Sequence, residues 1–343
     1  MTGQSLLAWI SAAITFGTVI MFGCIGETLN EKAGGLNLGT PGVMMLGGIA
    51  SLAGAFFYEN AVTAPNPLIC VIISLLCCLL ACSLAGLLYG FFTITLRANQ
   101  NVTGLTLTMI GTGIANFFGG SLVKLSGGVG QINVAVTSKA FKVGIPVLST
   151  KLGIVSKLLF DYGWLTYVVL AMAFRMQYFF NKTRTGLNLR AVGENPATAD
   201  AAGINVTKYK YAACTIGSAI AGIGGLYYVM DYVKGTWSND SGIEALGWLA
   251  VALVIFTSWK PANATWGAYL FGFCYWVYLY IPSGISNVLM KFFKVQRSTY
   301  MQNLYKMIPY LVTIVVLILV SSRKKRENQA PASLGISYFR EDR

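Results

Sequence analysis

Charged residues are spaced along this chain in a way that leaves long apolar blocks between them. Residues 1–26, 33–58, 60–96, 98–123, 211–230, 245–259, 261–290 and 307–322 contain no Asp, Glu, Lys or Arg. A helix of about 20 apolar residues spans a hydrocarbon core about 30 Å thick, and several of these runs exceed that length. The pattern predicts helices near 5–26, 40–58, 67–95, 102–121, 163–180, 211–230, 245–259, 263–282 and 307–322. Segment 283–306, apolar at Val288–Phe293 apart from Lys291 and followed by Lys294, fits a short re-entrant helix. The first run lacks a basic flank and a small-residue cleavage site, so it reads as a first spanning helix rather than a signal peptide. The fold class expected is therefore an all-α polytopic membrane protein of about nine or ten transmembrane helices.

Composition agrees. The 343 residues are 55% hydrophobic and 11% charged, against about 25% charged in soluble domains. No stretch between the helices is long enough for a separate soluble domain. The organisation expected is one transmembrane domain over 1–322, followed by a basic tail over 323–343. The net charge of +13 would suggest nucleic acid in a soluble protein. Here it fits loops facing anionic lipid, so the partner implied is membrane lipid and not nucleic acid. The seven cysteines all lie in apolar stretches without metal-ligand spacing, and the chain has no histidine. A catalytic metal and a histidine general base are therefore not expected. No GxxxxGK[ST] loop is present, so the chain does not cradle ATP phosphates in that manner.

Orientation follows the basic residues of short loops. Lys182, Arg184, Arg190, Lys208 and Lys210 in 181–210, and Arg323, Lys324, Lys325 and Arg326 in the tail, mark both segments as cytoplasmic. The four helices between them keep the two assignments consistent and, with nine helices, put the N-terminus outside. Segment 122–162, with five lysines, and 283–306, with four basic residues, fall outside and run against the rule.

Two stretches between helices hold the strongest local signals. Residues 30–48 read NEKAGGLNLGTPGVMMLGG. Glycine costs about 1 kcal/mol and proline about 3 kcal/mol inside a helix, so a helix broken near residues 34–48 is one reading. Broken helices survive in lipid where they line a cavity, as at transporter substrate sites. A turn whose glycines allow close helix packing is the other reading. Residues 185–210 read TGLNLRAVGENPATADAAGINVTKYK. Asn195 or Glu194 can cap a helix that starts at Pro196, and Gly203 can end it. A helix of about six residues does not persist alone in water, so it needs a surface to dock on.

These stretches resemble a known family. The first is similar to the ERxGxxNLGxEGxMLxG pattern of ABC permeases in the branched-chain amino acid, ribose and nucleoside group. It stands here as Asn30-Glu31-Lys32-Ala33-Gly34, Asn37-Leu38-Gly39, Gly42, Met44 and Gly47, with Thr40-Pro41 replacing the family's second acidic residue. The second resembles that group's coupling segment at Gly186, Arg190-Ala191, Gly193, Asn195, Ala197 and Gly203-Ile204. Leu96–Gly104 and Met307–Val316 resemble the nucleoside and simple-sugar subgroup.

The resemblance implies a permease subunit of an ATP-binding-cassette importer, itself not an enzyme and holding no cofactor. ATP and Mg would sit on separate ATPase subunits. The other partners implied are a second, homologous permease subunit forming a heterodimer and an extracellular substrate-binding lipoprotein, at the bacterial cell membrane. Nucleosides are the substrate expected and simple sugars the alternative. An ion-coupled carrier is disfavoured by the scarcity of ionisable residues inside the apolar runs. The ATPase contact is expected at Arg190, Gly193, Glu194, Asn195, Pro196, Ala199, Gly203 and Ile204. Candidates for the translocation path are Asn37, Gly39, Asn101, Thr103, Asn116 and Glu244. Trp237, Asn239, Asp240 and Trp248 bracket the outer end of a helix and are weaker candidates for substrate contact.

Overall fold

The computed structural model describes residues 3–125, 132–143, 160–237, 242–280 and 329–339, with scattered positions from 307 to 318. Among these residues the chain forms helices and no strand. In order they are α1 (Gly3–Lys32), α2 (Thr40–Ala61), α3 (Pro67–Gly90), α4 (Gln100–Leu125), α5 (Ala135–Phe141), α6 (Trp164–Lys182), α7 (Arg184–Glu194), α8 (Pro196–Ala201), α9 (Val206–Tyr227), α10 (Gly242–Phe256) and α11 (Pro261–Tyr280). Wider π turns, Phe91–Thr95 and Tyr228–Tyr232, prolong α3 and α9. Five stretches, Ser5–Lys32, Thr40–Ala61, Pro67–Thr95, Gln100–Leu125 and Val206–Tyr232, are long and apolar enough to cross a membrane. The protein is an all-α polytopic membrane protein.

Local chemistry sets the ends. Asn66 accepts the Leu68 N–H at 3.0 Å, with Pro67 in the first turn, and so starts α3. Asn205 does the same for α9, accepting from the Lys208 N–H at 2.9 Å. The core lies where α1, α2, α9 and α10 meet, around Ile20, Phe22, Met44, Tyr227 and Leu253. The outer faces of α3 and α4 instead expose rows of large apolar residues, among them Leu76, Leu80 and Leu84 on α3 and Met109, Ile110 and Phe117 on α4. Faces of that kind suit lipid or another apolar subunit rather than water.

The structure changes three of the expected elements. First, α1 runs to Lys32 instead of stopping near residue 26. Charges there do not end the helix because Glu27 and Glu31 are buried inside the fold. Second, the expected break at 34–48 is confined to 33–39, and α2 is a regular helix from Thr40 onward. Pro41 lies in its first turn, where the missing N–H has no helical partner to lose. Third, α7 precedes the short helix in the 183–205 stretch, where only the short one was expected. The re-entrant helix expected at 283–306 lies outside the described residues, as does the fourfold basic run at 323–326.

The glycines of α2 do close-packing work. A methyl group placed on Gly47 would lie 2.8 Å from the Gly222 Cα, and one on Gly111 would lie 2.7 Å from the Gly42 Cα. The same holds between α1 and α9, where Gly217 would meet the Gly26 carbonyl oxygen at 2.6 Å, and between α3 and α9, where Gly86 would meet the Cys214 carbonyl oxygen at 2.6 Å. Small residues let membrane helices approach backbone to backbone. Gly47→Ala is therefore expected to lower the thermal midpoint of the detergent-solubilised protein, at a cost of about 1–3 kcal/mol for overpacking. An unchanged midpoint would show that the α2–α9 contact is looser than described.

The bundle has two ends. At one lie the 33–39 loop, the α7–α8 pair, the 257–260 turn and residues 331–339. There Gly193 packs against Lys32 and Gly34, and the Trp259 indole donates to the Glu31 carboxylate. At the opposite end α5 braces the helix termini. The Glu59 carboxylate accepts from the Thr137 N–H at 2.8 Å, and the Ser138 hydroxyl donates to the Met230 carbonyl at 2.8 Å.

Candidate functional site

Interrupting the chain at 33–39 leaves backbone polar groups inside the protein, and each must find a partner. The Glu27 carboxylate, 2% exposed, supplies the centre. It accepts from the Asn37 N–H at 3.1 Å, the Thr40 hydroxyl at 2.6 Å and the Asn30 amide at 3.4 Å. Gln100 Oε1 accepts the Leu36 N–H at 2.8 Å, while the Tyr89 and Thr108 hydroxyls donate to the Leu36 and Leu38 carbonyls at 2.7 and 2.8 Å. Side chains of α1, α3 and α4 thus converge on one seven-residue loop. Gly34, at φ +84°, makes the turn that a side chain would strain.

Asn37 belongs to this web. Its Oδ1 accepts the Gly39 N–H at 2.8 Å and its side chain is 3% exposed, so it shapes the entry to α2 rather than facing an open chamber. Gly39 is buried beside Leu107. The remaining path candidates are spread along the bundle. Asn101 is exposed at the start of α4, and the half-buried Thr103 gives its hydroxyl to the Asn99 carbonyl at 2.8 Å. Asn116 lies farther along α4, and Glu244 sits in the first turn of α10, both half-buried. Among the described residues, none of the six lines the cleft beside residues 331–339. Asn116 Oδ1 and Thr112 Oγ1, one turn apart on α4, are both buried without a hydrogen-bond partner among the described residues. Trp237 is buried with its indole over Gly119, Trp248 is 38% exposed, and Asn239 and Asp240 lie outside the described residues.

The 183–205 stretch is capped at each joint. Thr183 Oγ1 accepts the Gly186 N–H at 3.1 Å and starts α7. Asn195 Oδ1 accepts the Thr198 N–H at 3.0 Å and starts α8 directly after α7 ends. Gly203, at φ +82° with open space beside it, turns the chain toward α9. Val192, Ala199 and Val206 form a small apolar core beneath α8, with Ile204 half-buried against it. Ala199 therefore faces the fold, and the surface presented outward is made by Arg190, Glu194, Asn195, Thr198, Ala201, Ala202 and Gly203, with Pro196 half-buried. Arg190 Nη1 donates to Asn181 Oδ1 at 3.4 Å.

Residues 331–339 lie across this corner, a feature with no signal in the local sequence. The Ser333 hydroxyl donates to the Gly193 carbonyl at 2.5 Å, and the Gly335 N–H donates to the Gly34 carbonyl at 3.2 Å. The Ala332 N–H donates to Glu194 at 3.4 Å, and the Tyr338 hydroxyl donates to the Asp200 carboxylate at 2.9 Å. The Arg97 guanidinium stands 4.5 Å over the Phe339 ring. Between this strap, α1, α3, the start of α4 and the start of α9 lies a cleft of about 790 Å³, lined by Asn30, Tyr89, Arg97, Gln100, Lys208, Lys210 and Tyr338 among others.

Three curated relatives match over nearly their whole length. The chain is 30% identical to the putative glucose ABC transporter permease protein TsgC13 of Haloferax volcanii, over 97% of both chains. It is 29% identical to the guanosine ABC transporter permease protein NupQ of Bacillus subtilis, over 98% of both. It is 28% identical to the nucleoside ABC transporter permease protein NupC of Lactococcus lactis, over 96% of both. No solved structure matches the chain. Residues 9–317 match the family described as branched-chain amino acid transport system / permease component, and the protein belongs to that family of membrane permeases.

Proposed function

We propose that this chain is the permease subunit of an ATP-driven nucleoside importer in a bacterial cell membrane. The observation that carries the reading is its full-length similarity to permeases named for guanosine and for nucleosides in two organisms. The glucose permease relative supports simple sugars as the second reading. In this reading the α7–α8 end is cytoplasmic, as the basic loop residues Lys182, Arg184 and Arg190 favour. ABC ATPase subunits dock on the outward face of α8, and ATP and Mg bind to them. A homologous second permease covers part of the exposed apolar surface of α4, and an external lipoprotein delivers substrate at the α5 end. Two subunits then place Asn116 and Thr112 of α4 near the path between them, where their unused polar atoms find substrate or water.

The test is uptake by the reconstituted complex. Labelled nucleosides should accumulate in proteoliposomes only when ATP and the ATPase subunits are present. Uptake of a simple sugar without any nucleoside would replace the substrate and keep the class. Uptake driven by an ion gradient without ATPase would overturn the reading.

A further inference from the structure

Residues 331–339 come to the α7–α8 corner from the far end of the chain and hold it at Gly193, Glu194 and Asp200. The last carbonyls of a helix have no partner within that helix. Gly193, next to the end of α7, has such a carbonyl, and it accepts both the Ser333 N–H, at 3.1 Å, and the Ser333 hydroxyl. The Ala332 N–H donates to the Glu194 carboxylate at 3.4 Å. The Tyr338 hydroxyl donates to the Asp200 carboxylate at 2.9 Å, and its ring packs on the small core of Val192, Ala199 and Val206.

The same strap grips the loop that follows α1. The Gly335 N–H donates to the Gly34 carbonyl at 3.2 Å, and Leu334 packs against the core of the bundle. A methyl group placed on Gly34 would lie 2.9 Å from the Ser333 hydroxyl oxygen, so loop and strap are in close contact. Two tight turns set the strap's own shape. The Leu334 N–H donates to the Pro331 carbonyl and the Ile336 N–H to the Ser333 carbonyl, each at 3.1 Å, with Gly335 at φ +76°. One short segment is thus bonded to α8, to the end of α7 and to the 33–39 loop. A six-residue helix does not hold its place unaided. Asn195 fixes the start of α8, and Tyr338 holds its last turn through Asp200.

We propose that this strap is a coupling element of the importer, and that Tyr338 is a positioning residue which acts through Asp200 to keep α8 at a fixed stance on the loop after α1. The proposal rests on the importer reading above and adds to it a segment distant from α8 in the chain. With the strap fastened, a displacement of α8 reaches Gly34 through Tyr338, Ser333 and Gly335 as well as through Gly193. With Tyr338 released, α8 still presents its outward face to the ATPase, but its last turn moves without carrying the loop along.

The test compares the full complex in proteoliposomes with and without Tyr338→Phe, which keeps the ring in its apolar seat and removes only the hydroxyl. Losing one hydrogen bond to a carboxylate shifts the held-to-released balance of that turn by about tenfold or more. Co-purification with the ATPase and ATP hydrolysis should stay close to the unaltered values. Uptake per ATP hydrolysed, of labelled nucleoside or glucose, whichever the unaltered complex imports, should fall severalfold. Asp200→Asn, whose amide oxygen still accepts the Tyr338 hydroxyl, should keep most of that ratio. In an Asp200→Ala background Tyr338→Phe should lower it no further, because two residues acting through one bond are not additive. A further drop by the same factor, or an unchanged ratio in Tyr338→Phe alone, would overturn this proposal and leave the importer reading standing. A parallel fall in ATPase binding, hydrolysis and uptake would show a merely structural strap and overturn it as well. No ATP-driven uptake by the unaltered complex would overturn the importer reading, and this proposal with it.

Discussion

Thr198→Trp and Ala201→Trp are expected to leave the permease folded in the membrane and, if α8 is the docking site proposed above, to abolish ATPase binding. Both residues are exposed on the outward face of α8 among the described residues. A six-residue helix closed by Asn195 and Gly203 is a rigid projection, and a small-residue face can seat closely in a groove. Obstructing the centre of such a contact removes about 2–4 kcal/mol, or roughly 30-fold or more in affinity. Co-purification with the ATPase should be lost, and residual hydrolysis should no longer drive uptake. Ala199→Trp is the informative contrast. Ala199 is 3% exposed against Val192 and Val206, so tryptophan there forces the corner apart and lowers the permease's own stability. If the Thr198 and Ala201 variants retain the ATPase and coupled uptake, α8 is not the contact.

Glu27→Ala is expected to be the most damaging single change within the chain. It leaves the Asn37 N–H and the Asn30 amide without their carboxylate acceptor, and the Thr40 hydroxyl with only the Asn37 carbonyl at 3.3 Å. Each stranded donor costs about 1–3 kcal/mol, against a total stability of about 5–15 kcal/mol. Little folded, monodisperse protein should survive size exclusion in detergent. Asn37→Leu removes only the acceptor for the Gly39 N–H, a loss of about 1 kcal/mol for a capping group. That variant should assemble with the ATPase while transport falls, because the loop it shapes adjoins the α7–α8 corner. A Glu27→Ala protein as stable as the wild type would show that the loop is held by other means.

The parts of this fold legible in the sequence are those set by local rules. Charge-free runs marked α2, α3 and α9 because burial in lipid penalises every charge in the same way. Asn195, Pro196 and Gly203 located α8 because capping and turn chemistry act over a few residues. Where long-range contact decides, the local signal pointed elsewhere. The charges of Glu27, Glu31 and Lys32 suggest the end of α1, yet Trp259, Asn37 and Thr40 from elsewhere in the chain satisfy the two carboxylates. The glycines of 42–48 suggest a broken helix, and only the positions of Gly222 and Thr108 on other helices show that they serve contact instead. Asn37 was expected to line the path or to hold the broken segment, and its hydrogen bond to the Gly39 N–H fits the second role. Lys210 counts as one more basic loop residue in any tally of charge, and burial alone sets it apart from Lys208.

The seams between α1, α2, α3, α9 and α4 have a mechanical consequence. Where Gly26 meets Gly217, Gly47 meets Gly222 and Gly42 meets Gly111, the contact is main chain on main chain. Such a seam has no rotamers to re-sort, so it cannot creep by small steps as a joint of interlocking leucines can. It behaves as a stiff weld. A push applied at the α7–α8 corner, where Gly193 bears on Lys32 and Gly34 at the foot of α1, is then not absorbed along the way. In the importer reading, the same seams tie that corner to the far end, where the start of α3 and the close of α9 meet α5.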